Sequence, residues 1–524
     1  MTDGDHENSR REHQSLGAAA TRPLIPDVMI RQAQTRGSSP YLTAIDPRGA
    51  KTTITFAQLD RVSADLAGWL ARHHGVRPGS VVALCPINCI ESVVATFALM
   101  RSGAVTLMLN PADPPNRHAL QIEAVSANLL LRSPSLDNSV LPDALNLPFL
   151  DEIDSHPFLQ PVLQPWNDTF LIGTSGSTAA SKIVRQTHGN AAANARDVIA
   201  HHRMQAGETF LGCLPIHHVN GLHFTLLATL LAGCHANLLQ GFDPIRYPLI
   251  LAAVRPRIAS VVPSILDALT TVWRDRSLPD GFDYFVSAAA ALTSDTARAV
   301  YETIGARIVQ GYGLSETTNF SCTMPPHLSS SEYRELMFET RIPPVGIAVC
   351  NEIAIVDDAG RSCPDGTAGE LMMRGPNVTP GYYGNGQATQ EAFRNGWFHS
   401  GDLGYTVRSP DGKPLFVLTG RSKNIAKVRG ESVSLDEMDR ELRRVPGVRD
   451  AACISRPDKR TGEAIVAAVV CDLDMLDDRL IDHLRSVFSP TVLPSEYVRV
   501  SQIPRTPTGK VLRPGLAKQL LGQV

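Results

Sequence analysis

Thr174-Ser175-Gly176-Ser177-Thr178, closed off by Lys182, is the stretch whose reading decides this chain. Ahead of it runs Thr169-Phe170-Leu171-Ile172-Gly173, an apolar segment that predicts a short buried strand, and helix is expected to resume near His188. A turn of small residues leaves backbone N–H groups free to point at an oxyanion, and hydroxyls add further donors. A lysine at its end supplies a compact positive charge. The pattern predicts a phosphate cradle. It is not the nucleotide loop that ends in Gly-Lys-Ser/Thr, because Ile183 follows Lys182.

Four more segments carry the same theme. Gln310-Gly311-Tyr312-Gly313-Leu314-Ser315-Glu316-Thr317 follows an apolar strand at 306–309. Its glycines are expected to let the backbone approach a flat ligand. Tyr312 offers a stacking face, Ser315 a donor, and Glu316 a carboxylate suited to Mg²⁺. Trp397-Phe398-His399-Ser400-Gly401-Asp402-Leu403-Gly404 reads as a glycine-flanked turn, where Asp402 can accept hydrogen bonds from ribose hydroxyls. Thr419-Gly420-Arg421-Ser422-Lys423 is a basic turn at a change in composition. Pro504-Arg505-Thr506-Pro507-Thr508-Gly509-Lys510 is a stiff loop that presents one lysine near the C-terminus.

Together these motifs resemble the adenylate-forming superfamily of acyl-CoA synthetases, aryl-CoA ligases, luciferases and peptide-synthetase adenylation domains. The resemblance runs from about Pro23 to the end and takes in Ser287-Ala288-Ala289-Ala290-Ala291-Leu292 and Gly369-Glu370-Leu371. It implies ATP-dependent activation of a carboxylic acid to an acyl-AMP with release of pyrophosphate, then transfer to a thiol. The first candidate for that thiol is CoA. A separate carrier-protein pantetheine is the alternative, and a catalytically reduced nucleotide- and acid-binding homologue is a further reading. Because the chain ends soon after Lys510, any carrier is expected to be a separate protein rather than a fused domain.

The roles that follow are those the resemblance implies. Lys510 is the catalytic cation, Glu316 the Mg²⁺ ligand, and Asp402 the ribose clamp. Thr174 to Lys182 hold the outer phosphates, and Arg421 contacts ribose or phosphate. Ala289 and Ala290 sandwich adenine with Gly311 and Tyr312, beside Gly313 and Ser315. Lys423 is the hinge, and Gly430 lines the thiol tunnel. His218, Asn220, Gly221 and Thr317, with Thr318 and Asn319 nearby, border the acid. No Asp stands between Pro215 and Leu226, which argues against an α-amino acid substrate. The chain departs from the family at Ala179, Ser181 and Ile183, where Gly, Pro and Gly are usual; losing glycines stiffens the loop. Asn424 stands for the usual Asp, and Leu435 for a common Pro.

The bulk numbers agree. A chain of 524 residues is too long for one core, so at least two domains are expected. With 43% hydrophobic and 19% charged residues the composition is that of a globular protein. A net charge of −3 gives no argument for nucleic acid or an acidic membrane as partner. Nine scattered cysteines, without paired ligand spacing, fit a reducing cytosol and no zinc site. The polar, acidic start predicts no secretory signal, and the apolar stretch 222–239 is interrupted by His223, Gly233, His235 and Asn237, so it reads as a buried helix and strand rather than a membrane span.

Helix and strand alternate from about residue 53, with strands near 53–55, 81–85, 105–109, 210–213, 235–239 and 258–262. Leu59, Val62, Leu66, Trp69 and Leu70 fall on one helical stripe. The fold class is α/β: mainly parallel sheets flanked by helices, a β-rich lobe after residue 351, and a small mobile α+β domain at the end. We expect a disordered tail at 1–22, an adenylation domain at 23–420 and a lid domain at 421–524.

Overall fold

The structure is a computed structural model that describes residues 23–522 apart from 175–181, 275, 291, 410, 459, 472–475 and 507–508. Among the described residues four sheets form. The first runs Leu145–Asn146, Leu129–Arg132, Val81–Cys85, Val105–Met108, Asp168–Gly173 and Ile183–Thr187. Its neighbours are parallel except the last pair, which is antiparallel. That last strand was not anticipated, and the helix begins at His188 as expected. Strands Asp168–Gly173 and Ile183–Thr187 pair antiparallel, and helix His188–His202 follows, with the Thr187 hydroxyl accepting from Asn190 N.

The second sheet is nine-stranded and holds a parallel centre: Arg307–Tyr312, Tyr284–Ser287, Ile258–Val261, Thr209–Gly212, His235–Leu239 and Pro40–Ile45. Helices pack between and over these sheets, so a near-continuous apolar core fills the space. Phe56, Phe97, Phe170, Phe210, Phe224 and Phe285 are all fully buried or nearly so. The apolar stretch 222–239, expected as a buried helix and strand, is wound first as a π-helix over Asn220–Ala228, then as a short α-turn, before the strand His235–Leu239. No helix among the described residues is long and apolar enough to cross a membrane.

The β-rich lobe is antiparallel and centres on Gly369–Arg374, Trp397–Arg408 and Pro414–Arg421. Beyond it, Ile425–Val428, Glu431–Ser434, Val448–Asp458, Gly462–Cys471 and Glu496–Arg499 make the last sheet. Helix Leu435–Arg443 lies against it, and two cores of its own, one on each face, include Met438, Leu442, Ile465 and Leu516. These separate cores support a domain division close to residue 421, which we carry forward as a proposal.

Candidate active site

The site is built where strand ends meet. Asp402 does not sit in a turn, as the glycines around it suggest. It lies within the twelve-residue strand Trp397–Arg408, directly opposite Arg421 on the neighbouring strand. Facing cross-strand positions bring opposite charges together. Arg421 Nε is 2.8 Å from Asp402 Oδ1, and the Tyr312 hydroxyl donates to Oδ2 at 2.6 Å. Asp402 is only 4% exposed. Its charge raises the pKa of Arg421 against the opposing effect of burial. Burial, then Asp402, pushes the Tyr312 phenol well up, so it stays a donor.

Glu316 occupies the short 3₁₀ turn Ser315–Thr317 just after Tyr312. The Tyr382 hydroxyl donates to its Oε1 at 2.9 Å, and the Lys182 ammonium stands 4.9 Å from the centre of the Tyr382 ring. Lys182, Tyr382 and Glu316 therefore form one chain across two sheets. Tyr382 was not anticipated. Its signal is the Gly381-Tyr382-Tyr383-Gly384 loop, which carries no charge to draw notice. Thr174 N donates to Lys182 O at 2.9 Å and closes the base of the hairpin loop; Arg117 Nη2 donates to Thr174 O at 3.1 Å. Ser175, Gly176, Ser177 and Thr178, with Ala179 and Ser181, lie outside the described residues.

A cleft of about 580 Å³ opens beside these groups. Ala289, Ala290, Gly311, Tyr312 and Gly313 line one wall, and Asp402, Arg421 and Lys423 another. Ala289 is held at φ 71°, a left-handed conformation costly for a residue with a Cβ. The glycines are also needed by the protein's own packing. A Cβ on Gly311 would lie 2.5 Å from the Phe320 ring, and one on Gly313 would lie 1.6 Å from Asn319 O. Both line the cleft as well. Ser315 keeps its place in the turn while its carbonyl accepts from Gln186 Nε2 at 2.9 Å.

The C-terminal loop reaches into the same cleft. A Cβ on Gly509 would lie 3.7 Å from the Ala290 Cβ, and Lys510 is part of the lining. Burial, then Arg421, lowers the Lys510 pKa, while Asp402 and Glu316 oppose the fall; Lys510 keeps part of its surface in solvent, which limits it. Burial, then Arg421, likewise lowers Lys423. Asn424, which replaces the usual Asp, donates to both oxygens of Asp436 at 3.1 and 3.0 Å. A carboxylate there would face a carboxylate. Gly430 sits apart from the cleft, in a left-handed turn at φ 84° with open space around it.

On the acid side, burial and then Lys510 push the His218 pKa down to about 4, so its imidazole is neutral. Asn220 is 7% exposed; its Oδ1 accepts from the Ser260 hydroxyl at 2.9 Å, and its Nδ2 has no hydrogen-bond partner. Gly221 and Thr317, expected to border the acid, serve backbone packing. A Cβ on Gly221 would lie 2.4 Å from Pro215 O, and the Thr317 hydroxyl is taken up by Leu314 N and O at 3.0 and 3.2 Å.

Comparison with known proteins then decides the family. The model for AMP-binding enzymes matches residues 30–383, and that for the AMP-binding enzyme C-terminal domain matches 437–510. The chain belongs to the AMP-binding enzyme family. Among its relatives is a feruloyl-CoA synthase of an Amycolatopsis species, 32% identical over 91% of this chain and 95% of that one. A sulfoacetate–CoA ligase of Cupriavidus necator is 29% identical over 94% and 98%. The fold is that of o-succinylbenzoate CoA synthetase from Bacillus subtilis, solved with its acyl-adenylate: TM-score 0.82 at 24% identity, covering 94% of this chain and 98% of that one.

In this AMP-binding enzyme the phenol of Tyr312 is one of two donors that fix Asp402. Tyr312→Phe keeps the ring and removes the bond, and is expected to weaken AMP about tenfold, the loss of one hydrogen bond to a charged group. Calorimetric titration with AMP checks this; unchanged affinity would contradict it.

Proposed function

We propose that the enzyme is an AMP-forming acid–thiol ligase, which joins a carboxylic acid to AMP at the expense of ATP and then passes the acyl group to coenzyme A. The observation that carries this reading is the entry of Lys510, from the small domain, into a cleft already built around Asp402, Arg421 and Glu316. The names of the relatives, a CoA synthase and a CoA ligase, favour coenzyme A over a carrier-protein pantetheine as acceptor.

The electrostatic difficulty of the first half-reaction is that a carboxylate must approach a polyanion. Seven Lys and Arg side chains line the cleft, Arg421, Lys423 and Lys510 among them, against three carboxylates, Asp402, Asp436 and Asp439, and Glu316 also lies close enough to act on Lys510. Lys510 spans the incoming carboxylate and the α-phosphate and stabilises charge as the phosphoanhydride breaks. Asp402 accepts from ribose hydroxyls, and Ala289, Ala290 and Tyr312 flank the base. Lys182 holds the departing pyrophosphate. Among the described residues no group of three His, Cys, Asp or Glu could hold a metal ion. Glu316 alone suits Mg²⁺, which commonly takes one carboxylate together with phosphate oxygens and water. When bound, Mg²⁺ neutralises phosphate charge. Lys423, in the 3₁₀ turn Ser422–Asn424, then lets the small domain turn so that Gly430 comes to the thiol.

The pocket favours an acid that carries a further oxygen. The free Nδ2 of Asn220 is a buried donor in want of an acceptor, held by Ser260.

Two outcomes test these readings. Lys510→Ala abolishes acid-dependent ATP–pyrophosphate exchange and leaves thioester formation from preformed acyl-AMP largely intact. In the wild type, exchange declines as pH rises through the lowered Lys510 pKa, below 10.5, because only the protonated amine bridges the two anions. Exchange that survives the substitution would contradict the role of Lys510. Separately, wild-type kcat/KM favours acids bearing a carbonyl or hydroxyl oxygen over alkyl isosteres by about tenfold, and Asn220→Leu erases that preference with the KM for ATP unchanged. An unaltered ratio in the variant would contradict the reading of Asn220.

A further inference from the structure

A cluster of charges outside the cleft joins the two domains. Arg341 stands immediately before Ile342, Pro343 and Val345, which line the cleft wall. Its Nη2 is 3.1 Å from Glu437 Oε1 and 3.0 Å from Glu441 Oε1, both on helix Leu435–Arg443 of the small domain. Its Nε also donates to Glu441 Oε1 at 3.1 Å. The contact is reciprocated, since Arg444 Nη2 donates to the Arg341 backbone carbonyl at 2.9 Å. No motif of the adenylation site uses any of these residues.

The Glu441 side chain is 3% exposed, yet Arg341 is 47% exposed. A buried carboxylate stripped of its partners is costly. Glu441, however, has two more partners on its own domain: Arg444 Nη1 at 2.9 Å and His483 Nε2 at 3.1 Å. Burial would raise its pKa, and Arg444, His483 and Arg341 together more than reverse that, so it stays ionised. If Arg341 withdraws, Glu441 remains paired and Arg341 returns to water. The contact is thus strong enough to orient a domain and cheap enough to release. The Ile342-Pro343-Pro344 run that follows is stiff, because a residue before proline is confined to extended backbone. The clasp is therefore tied rigidly to the wall of the cleft.

We infer that Arg341 is a positioning residue for the acid-activating half-reaction: its clasp on Glu437 and Glu441 holds the small domain where Lys510 reaches the cleft, and it opens for the thiol half-reaction. This rests on the ligase reading above. It assigns the cleft-adjacent loop, and not the hinge alone, a part in choosing between the two domain orientations.

The test separates the half-reactions in Arg341→Ala and Arg341→Lys. In Arg341→Ala the rate of acid-dependent ATP–pyrophosphate exchange is expected to fall about tenfold, equivalent to ~1.4 kcal/mol of lost bias toward the closed orientation. Thioester formation from preformed acyl-AMP is expected to hold or rise, and the melting temperature to stay within a few degrees. Arg341→Lys, which keeps the charge and loses the fork, lies between. Equal losses in both half-reactions, or no loss in either, would overturn the clasp and leave the ligase reading standing. A wild-type enzyme that exchanges with no acid across short-chain, long-chain and aromatic panels would overturn both.

Discussion

One buried carboxylate organises this molecule. Asp402 lies inside a strand, away from water, and its charge is tolerated only because Arg421 and Tyr312 each take one of its oxygens. Those partners come from different layers. Tyr312 ends the outermost strand of the parallel part of the nine-stranded sheet, and Arg421 ends the last strand of the β-rich lobe. The residue after Arg421 begins the turn into the small domain. A single ion pair with its phenol thereby joins sheet, lobe and domain boundary at the edge of the cleft. Misplacing any one of the three would leave a desolvated charge unmatched.

The cations around that pair are poorly balanced among themselves. Lys423 and Lys510 each have lowered pKa values from burial and then from Arg421. The cleft lining holds seven Lys and Arg side chains against three carboxylates, Asp402, Asp436 and Asp439. Such a site is complementary to a polyanion, and an anionic ligand would relieve the mutual repulsion. Closure of the small domain and binding of the nucleotide should accordingly favour one another, with the Arg341 clasp adding a contact that is indifferent to the ligand.

Much of the fold was legible in the sequence because its signals are local. Apolar runs located the strands near 81–85, 105–109, 210–213, 235–239 and 258–262 within a residue, and the stripe from Leu59 to Leu70 falls on the helix Phe56–His74, while the parallel strands Pro40–Ile45, Leu129–Arg132 and Tyr284–Ser287 were not anticipated. The glycine- and charge-rich motifs were legible for the same reason. What was missed depends on partners distant in the chain. The strand Ile183–Thr187 carries Arg185 and Gln186 and lacks an apolar run; it is fixed by pairing with Asp168–Gly173. Asp402 looked like a turn residue because Gly401 and Gly404 flank it, yet Gly404 is small to admit Val417 O, 2.2 Å from where a Cβ would be. Tyr382 and Arg341 act on residues about 66 and 100 positions away, and nothing in their own neighbourhoods announces it.

The account turns on Lys510 and the Asp402–Arg421 pair meeting one nucleotide in one domain orientation. A crystal structure with a hydrolysis-resistant acyl-adenylate mimic, in which a sulfamate replaces the phosphate, measures that directly. The account predicts ribose hydroxyls on Asp402, the base between Ala289–Ala290 and Tyr312, and the Lys510 ammonium within hydrogen-bonding distance of the acyl oxygen or the sulfamate. A mimic bound elsewhere, or bound with Asp402 and Arg421 facing no part of it, would contradict the account.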